Sequence, residues 1–311
     1  MTTYIICGPT ASGKSGLALD LARRLKGQII NADSMQLYKE FPILSAQPSA
    51  TDQQQVPHFL YGALSAAETS SAGRWLELVE TLLKKPALHT PVLVGGTGLY
   101  IKALLEGLSP IPEIPGTVRQ ELALLASTLS REELFHQLQT EDPLTAAQID
   151  PHNTQRVLRA LEVIRYTQKP LAEWQRLEKE KKVTLPLPLK IILIDPDRET
   201  LYARINQRTE WMIDNWVIEE VKKIKDLSLS STAKKILGYE DISAYLQGHL
   251  SKGEMIEQIQ QKTRQYAKRQ MTWFRHQLTP DLIWPKIYES SDWESLLSGM
   301  KPSRDSDTLP H

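Results

Sequence analysis

The segment GPTASGKS, residues 8–15, follows the apolar run TYIIC and constrains the fold more than any other part of the chain. It matches the pattern G-x-x-x-x-G-K-[ST], whose backbone N–H groups surround phosphate oxygens. Such a loop joins a strand to a helix, and the N-terminus of that helix adds a positive partial charge that favours an anion. The residues predicted to bind phosphate are Gly8, Pro9, Thr10, Ala11, Ser12, Gly13, Lys14 and Ser15.

The chemistry of this loop leaves the reaction open. Lys14 supplies a positive charge, and the hydroxyl of Ser15 is suited to hold Mg²⁺. Kinases, nucleotide hydrolases and transferases with a diphosphate leaving group all fit this pattern. The loop alone therefore predicts a polyphosphate ligand and no particular reaction.

The first hundred residues alternate between strand and helix patterns. Strand patterns cover residues 4–7, 28–31 and 91–94, and helix patterns cover residues 14–25, 74–84 and 97–105. Strands separated by helices form a parallel sheet with crossover helices. We therefore predict an α/β fold with a P-loop-type parallel sheet core flanked by helices. Ligands of such sheets bind beyond the carboxyl ends of the strands.

A helical region interrupts this pattern. SPIPEIPG, residues 109–116, holds three prolines and predicts a linker. Residues 117–177 show helical spacing without a strand pattern, and strand character returns over residues 190–194. The predicted organisation is a catalytic core of residues 1–114 and 186–290, an all-helical insertion of residues 115–185, and a polar, partly disordered tail of residues 291–311.

Composition excludes some classes of protein. The 37 basic and 37 acidic residues balance, so a nucleic-acid partner cannot be argued from net charge. The single cysteine, Cys7, excludes an intramolecular disulfide and suits a reducing compartment. No apolar run approaches the roughly 20 residues of a membrane span, and the N-terminus lacks a signal-peptide pattern. We expect a cytoplasmic monomer without a membrane partner.

Two further motifs follow strands near the phosphate loop. Asp33, in NADSMQLYK, is a metal ligand, a general base or a turn residue with an Asx-type bond. Thr97, in LVGGTGLY, binds a diphosphate or caps the next helix. Asp195, at the end of IILID, fits the pattern of a Walker-B aspartate but lies late in the chain.

Four ordered motifs, GPTASGKS, NADSMQLY, LVGGTGLY and KRQMTWFR, resemble those of the tRNA dimethylallyltransferase family, also called tRNA isopentenyltransferases. The resemblance runs from about residue 4 to about residue 276 and is more specific than the loop alone. It implies transfer of a dimethylallyl group from dimethylallyl diphosphate to N6 of the adenosine on the 3′ side of the anticodon. Diphosphate is released.

The resemblance also implies roles for three catalytic residues, Asp33, Thr97 and Lys14. Asp33 would be the general base or hydrogen-bond acceptor at N6, since an amine that attacks carbon becomes cationic and must lose a proton. Lys14, Thr97 and the phosphate loop would contact the diphosphate, with Mg²⁺ on Ser15. Although such a loop invites the label ATP-binding, we expect no ATP turnover.

A basic and aromatic segment is the candidate RNA surface. Residues 262–275, KTRQYAKRQMTWFR, carry five basic and no acidic residues, which fits RNA binding or an ordinary solvated helix face. The resemblance favours tRNA. The residues it assigns to tRNA are Asp33, Ser34, Met35, Gln36, Thr97, Arg119, Gln155, Arg156, Arg159, Gly238, Tyr239, Lys268, Arg269, Gln270, Trp273 and Arg275.

The chain departs from the family pattern after the Asp33 motif. It has PILSAQP where the family commonly has D-I-G-T-A-K-P, with Leu44, Ser45 and Gln47 at three changed positions. Asn215 stands where the family often has glycine. We expect these changes to alter affinity and to leave the chemistry intact.

Three alternatives to the transferase remain at this point. A small-molecule kinase would share the loop and the sheet, but it needs neither the basic segment nor the helical insertion. An enzyme that prenylates free adenine nucleotides would not need the insertion. A non-catalytic RNA-binding module would not need the phosphate loop.

Overall fold

The computed structural model describes residues 2–85, 89–180, 183–186 and 188–300. The chain divides into two compact units. The first is formed by Met1–Leu105 together with Lys182–His311, and the second by Glu106–Lys181.

A parallel sheet organises the first unit. Within the described residues it has six strands in the order β3-β2-β4-β1-β5-β6, and every pairing is parallel. The strands are β1 (Thr3–Cys7), β2 (Gln28–Asn31), β3 (His58–Phe59), β4 (Pro91–Gly95), β5 (Leu189–Ile194) and β6 (Leu282–Trp284). The α/β fold with a parallel sheet is therefore confirmed.

Helices connect and cover these strands. The helices of the core are α1 (Lys14–Leu25), α2 (Ala50–Gln55), α3 (Ala72–Leu83), α4 (Gly98–Glu106), α10 (Arg198–Asp214), α11 (Val217–Lys223), α12 (Tyr239–Leu246), α13 (Lys252–Gln277) and α14 (Trp293–Met300). Short 3₁₀ turns cover Met35–Leu37, Ala233–Lys235 and Ser290–Asp292. In the described parts of the chain, no helix combines the length and apolar character that a membrane span needs.

The strand register brings the predicted motifs to one edge of the sheet. Cys7, the last residue of β1, pairs with Gly95 of β4 and with Leu193 of β5. Asn31, the last residue of β2, pairs with Val94 of β4. The loops after these four strands consequently leave the sheet at the same edge, which is where ligands of parallel sheets bind.

The second unit is helical. Its helices are α5 (Gly116–Thr128), α6 (Arg131–Glu141), α7 (Pro143–Ala146), α8 (Thr154–Thr167) and α9 (Leu171–Arg176). Leu122, Leu138 and Leu161 lie in its buried core. Backbone hydrogen bonds of 3.2 and 2.9 Å between Leu108 and Glu180 join the two ends of the unit. It thus begins earlier in the chain than residue 115, the first residue of the predicted insertion.

The C-terminal segment differs from the predicted polar tail over residues 293–300. Residues 293–300 form α14, and Trp293 and Leu296 are buried in the same core cluster as Leu17 of α1. The buried apolar side chains of this helix attach it to the core, although the residues around them are polar. Residues 301–311, the rest of the predicted tail, lie outside the described residues.

Asp142 tests the stability of the helical unit. Its carboxylate is fully buried and accepts backbone N–H bonds from Thr145, at 2.9 Å, and from Leu171, at 3.2 Å. Asp142→Ala leaves both donors unpaired and removes a helix cap, so we expect unfolding of this unit to become easier by about 2 kcal/mol.

The control is Asp150→Ala, because Asp150 is exposed and its carboxylate accepts one bond, from the backbone N–H of His152. Urea unfolding followed by circular dichroism measures both variants. Equal losses of stability would contradict the role given to Asp142.

Candidate functional site

The phosphate loop lies between β1 and α1, as its sequence pattern predicts. Helix α1 begins at Lys14, whose Nζ donates to the carbonyl oxygen of Pro9 at 2.6 Å. The Ser15 hydroxyl belongs to an exposed residue at the start of the helix, whereas Ser12 is fully buried. Within the described residues, Ser12 Oγ has no hydrogen-bond partner. To an anion, the loop therefore offers the Lys14 ammonium, the unpaired Ser12 hydroxyl and the N-terminus of α1.

Arg208 of α10 adds a second cation that the sequence analysis missed. Its guanidinium donates to Thr10 Oγ1 at 2.8 Å, and its buried Nε has no partner among the described residues. The only sequence signal was its spacing of one helical turn from Arg204, which many solvated helices share. The approach of α10 to the loop is a long-range contact that no local pattern encodes.

Burial shifts the titration of both cations. It lowers the pKa of Lys14 to about 8, an effect that the charge of Arg208 reinforces and the carboxylate of Asp33 opposes. Burial likewise lowers the pKa of Arg208 to about 10, with Arg204 adding to the shift and Asp33 opposing it. Two poorly solvated cations beside one carboxylate favour a further anion in this space.

Asp33 forms the turn that was one of the three roles considered for it, and its role in proton transfer stays a prediction. Its backbone N–H donates to Asn31 Oδ1 at 2.8 Å, and its own Oδ1 accepts from the Met35 N–H at 3.0 Å, which is an Asx-type turn. Oδ2 lies on the side of Gly96, where it would be 3.3 Å from a side-chain carbon. One carboxylate oxygen thus holds the turn while the other faces the turn after β4.

The side chain of Thr97 is bound to the Asp33 segment. Its Oγ1 accepts from the backbone N–H of Ser34 at 2.9 Å and lies 3.2 Å from Ser34 Oγ. Its carbonyl oxygen accepts from the N–H groups of Tyr100 and Ile101 at the start of α4. The side chain therefore joins the second and third motifs, and the backbone of Thr97 serves the helix.

A close backbone contact holds these two motifs together. A side-chain carbon on Gly95 would lie 2.1 Å from the carbonyl carbon and oxygen of Ala32, so the chain tolerates only glycine there. The Trp75 indole on α3 donates to the carbonyl oxygen of Asn31 at 2.8 Å and supports the end of β2 from below.

Gln270 of α13 connects the phosphate loop to the turn after β4. Its Oε1 accepts from the Thr10 N–H at 2.8 Å, and its Nε2 donates to the Gly96 carbonyl at 2.8 Å. The residue is 5% exposed. The side-chain amide is therefore used inside the protein, which differs from the RNA contact that the sequence analysis expected of it.

The remaining RNA candidates on α13 have different environments. Lys268 and Arg269 are exposed, and the Arg269 guanidinium lies 5.8 Å from the ring centre of Tyr266. The ring of Trp273 packs on Gly98, where a side-chain carbon would lie 2.3 Å from it. Burial and the nearby Asp33 carboxylate raise the pKa of Tyr266, which places this aromatic residue in the field of the site.

Arg275 and Asp195 form a two-fold ion pair. The guanidinium donates to both carboxylate oxygens, at 2.8 and 2.9 Å, and the carboxylate raises the pKa of Arg275. Arg275, a predicted RNA contact, is therefore paired with Asp195, the aspartate that fits the Walker-B pattern.

The changed segment PILSAQP packs against the second motif. Gln36 Nε2 donates to the carbonyl oxygens of Ser45 and Ala46, at 3.0 and 2.7 Å. Gln47, in the place of the family's lysine, donates to the Tyr38 carbonyl at 2.8 Å and so holds the segment closed.

Helices α11 and α12 contact the same part of the chain. Gly238 caps the N-terminus of α12 with a φ of 92°, and the Tyr239 ring meets Phe41 edge to face at 5.8 Å. Glu220 of α11 accepts the N–H groups of Ile43 and Leu44, at 2.7 and 2.8 Å. These contacts fix a segment whose sequence departs from the family pattern.

Two of the RNA candidates of the second unit contact one buried carboxylate. Arg119 and Arg159 contact opposite oxygens of Glu162, at 2.6 and 2.9 Å, and Glu162 is 7% exposed. Gln155 and Arg156, on the same helix as Arg159, are exposed. Arg159 thus forms a salt bridge within its own helix, while a role of these residues toward RNA stays a prediction.

The arrangement defines a phosphate-loop α/β protein with Asp33 and Thr97 at the neighbouring strand ends. The family model described as IPP transferase matches residues 36–277. Two curated relatives called tRNA dimethylallyltransferase, from Chelativorans sp. (strain BNC1) and Bartonella tribocorum, are 44% and 45% identical over 281 and 278 residues. Each alignment covers 89% of this chain and 96% of the relative.

Solved structures agree with these relatives. A full-length tRNA isopentenylpyrophosphate transferase from Bacillus halodurans has a TM-score of 0.66 and 31% identity, covering 96% of this chain and 95% of that one. A eukaryotic dimethylallyltransferase acting on tRNA has a TM-score of 0.69 and 26% identity, covering 88% and 69%. The chain belongs to the IPP transferase family.

The lowered pKa of Lys14 predicts how diphosphate binding depends on pH. Below pH 8 the ammonium is charged and attracts the anion; above about pH 8 the free protein holds a neutral amine that must take up a proton on binding. Affinity for metal-free inorganic diphosphate should therefore fall as pH rises above 8, by up to about tenfold per pH unit.

Lys14→Arg is the control, because a guanidinium stays charged over this range and leaves only the titration of diphosphate itself. Isothermal titration calorimetry between pH 7 and 9.5 measures both proteins at about the same ionic strength. Parallel pH profiles would contradict the role of Lys14.

Proposed function

We propose that this chain transfers a dimethylallyl group from dimethylallyl diphosphate to N6 of the adenosine that follows the anticodon in tRNA, with release of diphosphate. Membership of the IPP transferase family and the names of the relatives support prenyl transfer to tRNA. The observation that carries the mechanism is the bridge of Gln270 between Thr10 N–H and Gly96 carbonyl. It holds the phosphate loop beside the turn that Asp33 faces.

The phosphate loop serves the leaving group in this mechanism. Negative charge develops on the diphosphate as the allylic C–O bond breaks, and donors already directed at that charge lower the barrier. Lys14, Arg208 and the loop N–H groups are such donors, and the first two are poorly solvated. Their charges act more strongly there than they would in water.

Asp33 serves the nucleophile. The amino group of adenine becomes positive as nitrogen attacks the allylic carbon, and Asp33 Oδ2 accepts the proton. Oδ1 stays bound to the Met35 N–H and keeps the carboxylate oriented. Thr97, held by Ser34, orients the same segment and would contact the diphosphate.

The Ser15 hydroxyl and the diphosphate would together hold Mg²⁺ at the loop. In the described part of the chain, no group of three or more His, Cys, Asp or Glu side chains could hold a metal. Mg²⁺ commonly keeps waters and substrate phosphates as ligands, and the exposed Ser15 hydroxyl is a suitable protein donor. When bound, the ion would neutralise charge on the leaving diphosphate.

The substrate adenosine must leave its stack to reach the site. Lys268 and Arg269 are exposed on α13, the helix that also carries Gln270, so they are placed to bind phosphates near the reacting base. Trp273 provides an aromatic surface against Gly98. Arg119, Gln155, Arg156 and Arg159 are proposed to bind the anticodon stem.

One assay separates this function from its rivals. The protein is incubated with dimethylallyl diphosphate, Mg²⁺ and an unmodified anticodon stem-loop, and products are identified by mass spectrometry. Prenylated RNA supports the proposal. A parallel reaction with AMP in place of the RNA that yields prenylated AMP would favour a mononucleotide enzyme. Consumption of added ATP with a phosphorylated product would favour a kinase. RNA binding without any product would favour a binding module.

Asp33→Asn tests the general base without removing the turn. The asparagine amide oxygen can still accept the Met35 N–H, but it cannot take a proton at neutral pH. We expect turnover to fall by about 10²-fold or more with tRNA affinity nearly unchanged.

Asp33→Ala should lose turnover as well, and Asp52→Asn, which changes a half-buried carboxylate in the capping box of α2, should keep it. Single-turnover rates and filter binding give the two quantities. Wild-type turnover in Asp33→Asn would remove Asp33 from proton transfer.

Salt dependence tests the RNA surface of α13. Phosphate contacts release counterions, so tRNA affinity should fall steeply with salt, and Lys268→Ala should reduce the slope of log K against log salt by about one. Lys252→Ala is the matched control at the far end of the same helix, where Lys252 lies 3.7 Å from Asp214. A salt-independent affinity, or equal slopes for the two variants, would contradict the assignment.

A further inference from the structure

Tyr288 lies against the back of the phosphate loop although it is distant in sequence. It is 2% exposed and follows β6, beyond the residues 36–277 that match the family model. Its backbone N–H donates to the Ser12 carbonyl oxygen at 3.1 Å. The loop therefore contacts a C-terminal segment through its backbone.

The backbone contact is close enough to require glycine at position 13. A side-chain carbon on Gly13 would lie 2.4 Å from the carbonyl oxygen of Tyr288 and 3.0 Å from its nitrogen. Gly13 also has a φ of 89°, which other residues rarely adopt. The second glycine of the phosphate motif is thus needed for packing on Tyr288 as well as for the turn.

The Tyr288 side chain extends the contact along α1. Its ring edge would lie 3.9 Å from a side-chain carbon on Gly16, and its hydroxyl donates to Asp20 Oδ2 at 3.0 Å. Burial and the Asp20 carboxylate raise the pKa of this phenol, so it stays protonated and donates. One residue consequently contacts the loop and the first two turns of its helix.

The segment that carries Tyr288 is fixed on both sides. Before it, the Trp284 carbonyl at the end of β6 accepts the Asp195 N–H at 2.8 Å. After it, Trp293 and Leu296 of α14 are buried in the core cluster that contains Tyr288, and the Arg24 guanidinium lies 4.5 Å from the Trp293 ring centre. The Tyr288 backbone is therefore a rigid support.

We infer that Tyr288 is a positioning residue for the diphosphate site: its backbone N–H holds the Ser12 carbonyl outward and thereby directs the Gly13 N–H into the loop. In a planar trans peptide the C=O and the following N–H point in opposite directions. Fixing the Ser12 oxygen on Tyr288 thus fixes the Gly13 hydrogen on the ligand side. This inference rests on the proposed function, in which the loop binds diphosphate.

Diphosphate binding in paired variants tests the inference. Tyr288→Ala removes the ring and hydroxyl that hold the backbone in place, and affinity for inorganic diphosphate should fall about tenfold, the effect of one oriented hydrogen bond. The KM for dimethylallyl diphosphate should rise with it, with a smaller change in kcat and none in tRNA affinity. Tyr288→Phe keeps the ring and should restore most of the affinity.

The matched control is Leu296→Ala, which opens the same core cluster without touching the loop. It should lower Tm as much as Tyr288→Ala while leaving the diphosphate Kd within about twofold. If Tyr288→Ala does not fold, Tyr288→Leu keeps most of the buried volume and carries the same expectation. Equal effects of Leu296→Ala and the Tyr288 variant on Kd, or no effect of either, would overturn the inference.

The wild-type protein separates this inference from the proposed function. If wild-type protein binds no diphosphate, the proposed function fails and the inference fails with it. If wild-type protein binds diphosphate and the Tyr288 variants bind it equally well, the inference alone is wrong.

Discussion

The side-chain amide of Gln270 is the interaction on which the site depends. It binds the phosphate loop through Thr10 and the turn after β4 through Gly96, so one helix holds two loops in a fixed relation. The amide is buried, and without it two backbone groups would lose their partners where water does not replace them easily. Because Oδ2 of Asp33 lies beside Gly96, the same bonds set the position of the carboxylate relative to the phosphate cradle.

The charges of the site are arranged for an anion that is not part of the protein. Lys14 and Arg208 lose hydration on burial, and Asp33 compensates them only in part. Such cations destabilise the free protein and are stabilised when a polyanion binds. The same low solvation strengthens their action on charge that develops in the reaction. In the proposed mechanism, affinity for diphosphate and stabilisation of the leaving group would therefore have a common physical origin.

Features that depend on local patterns were predictable from the sequence. The strand, loop and helix around Gly13 follow from a short motif, and the meeting of Asp33 with Thr97 follows because parallel strands end at one edge of the sheet. Strand β3 has only two residues, which is too short for a recognisable strand pattern. The helix with Trp293 and Leu296 was not predicted because polar residues surround its apolar positions. The contacts of Arg208 and Gln270 with the phosphate loop join residues more than 190 positions apart in the chain. No local sequence pattern predicts such contacts.

The most direct test is a crystal structure with a non-reactive analogue of dimethylallyl diphosphate and an anticodon stem-loop. The distance to measure is that from the Asp33 carboxylate to N6 of the extruded adenine. We expect it to be about 3 Å, with the diphosphate oxygens on the loop N–H groups. A diphosphate bound away from the loop, or an adenine N6 beyond hydrogen-bond reach of Asp33, would contradict the account.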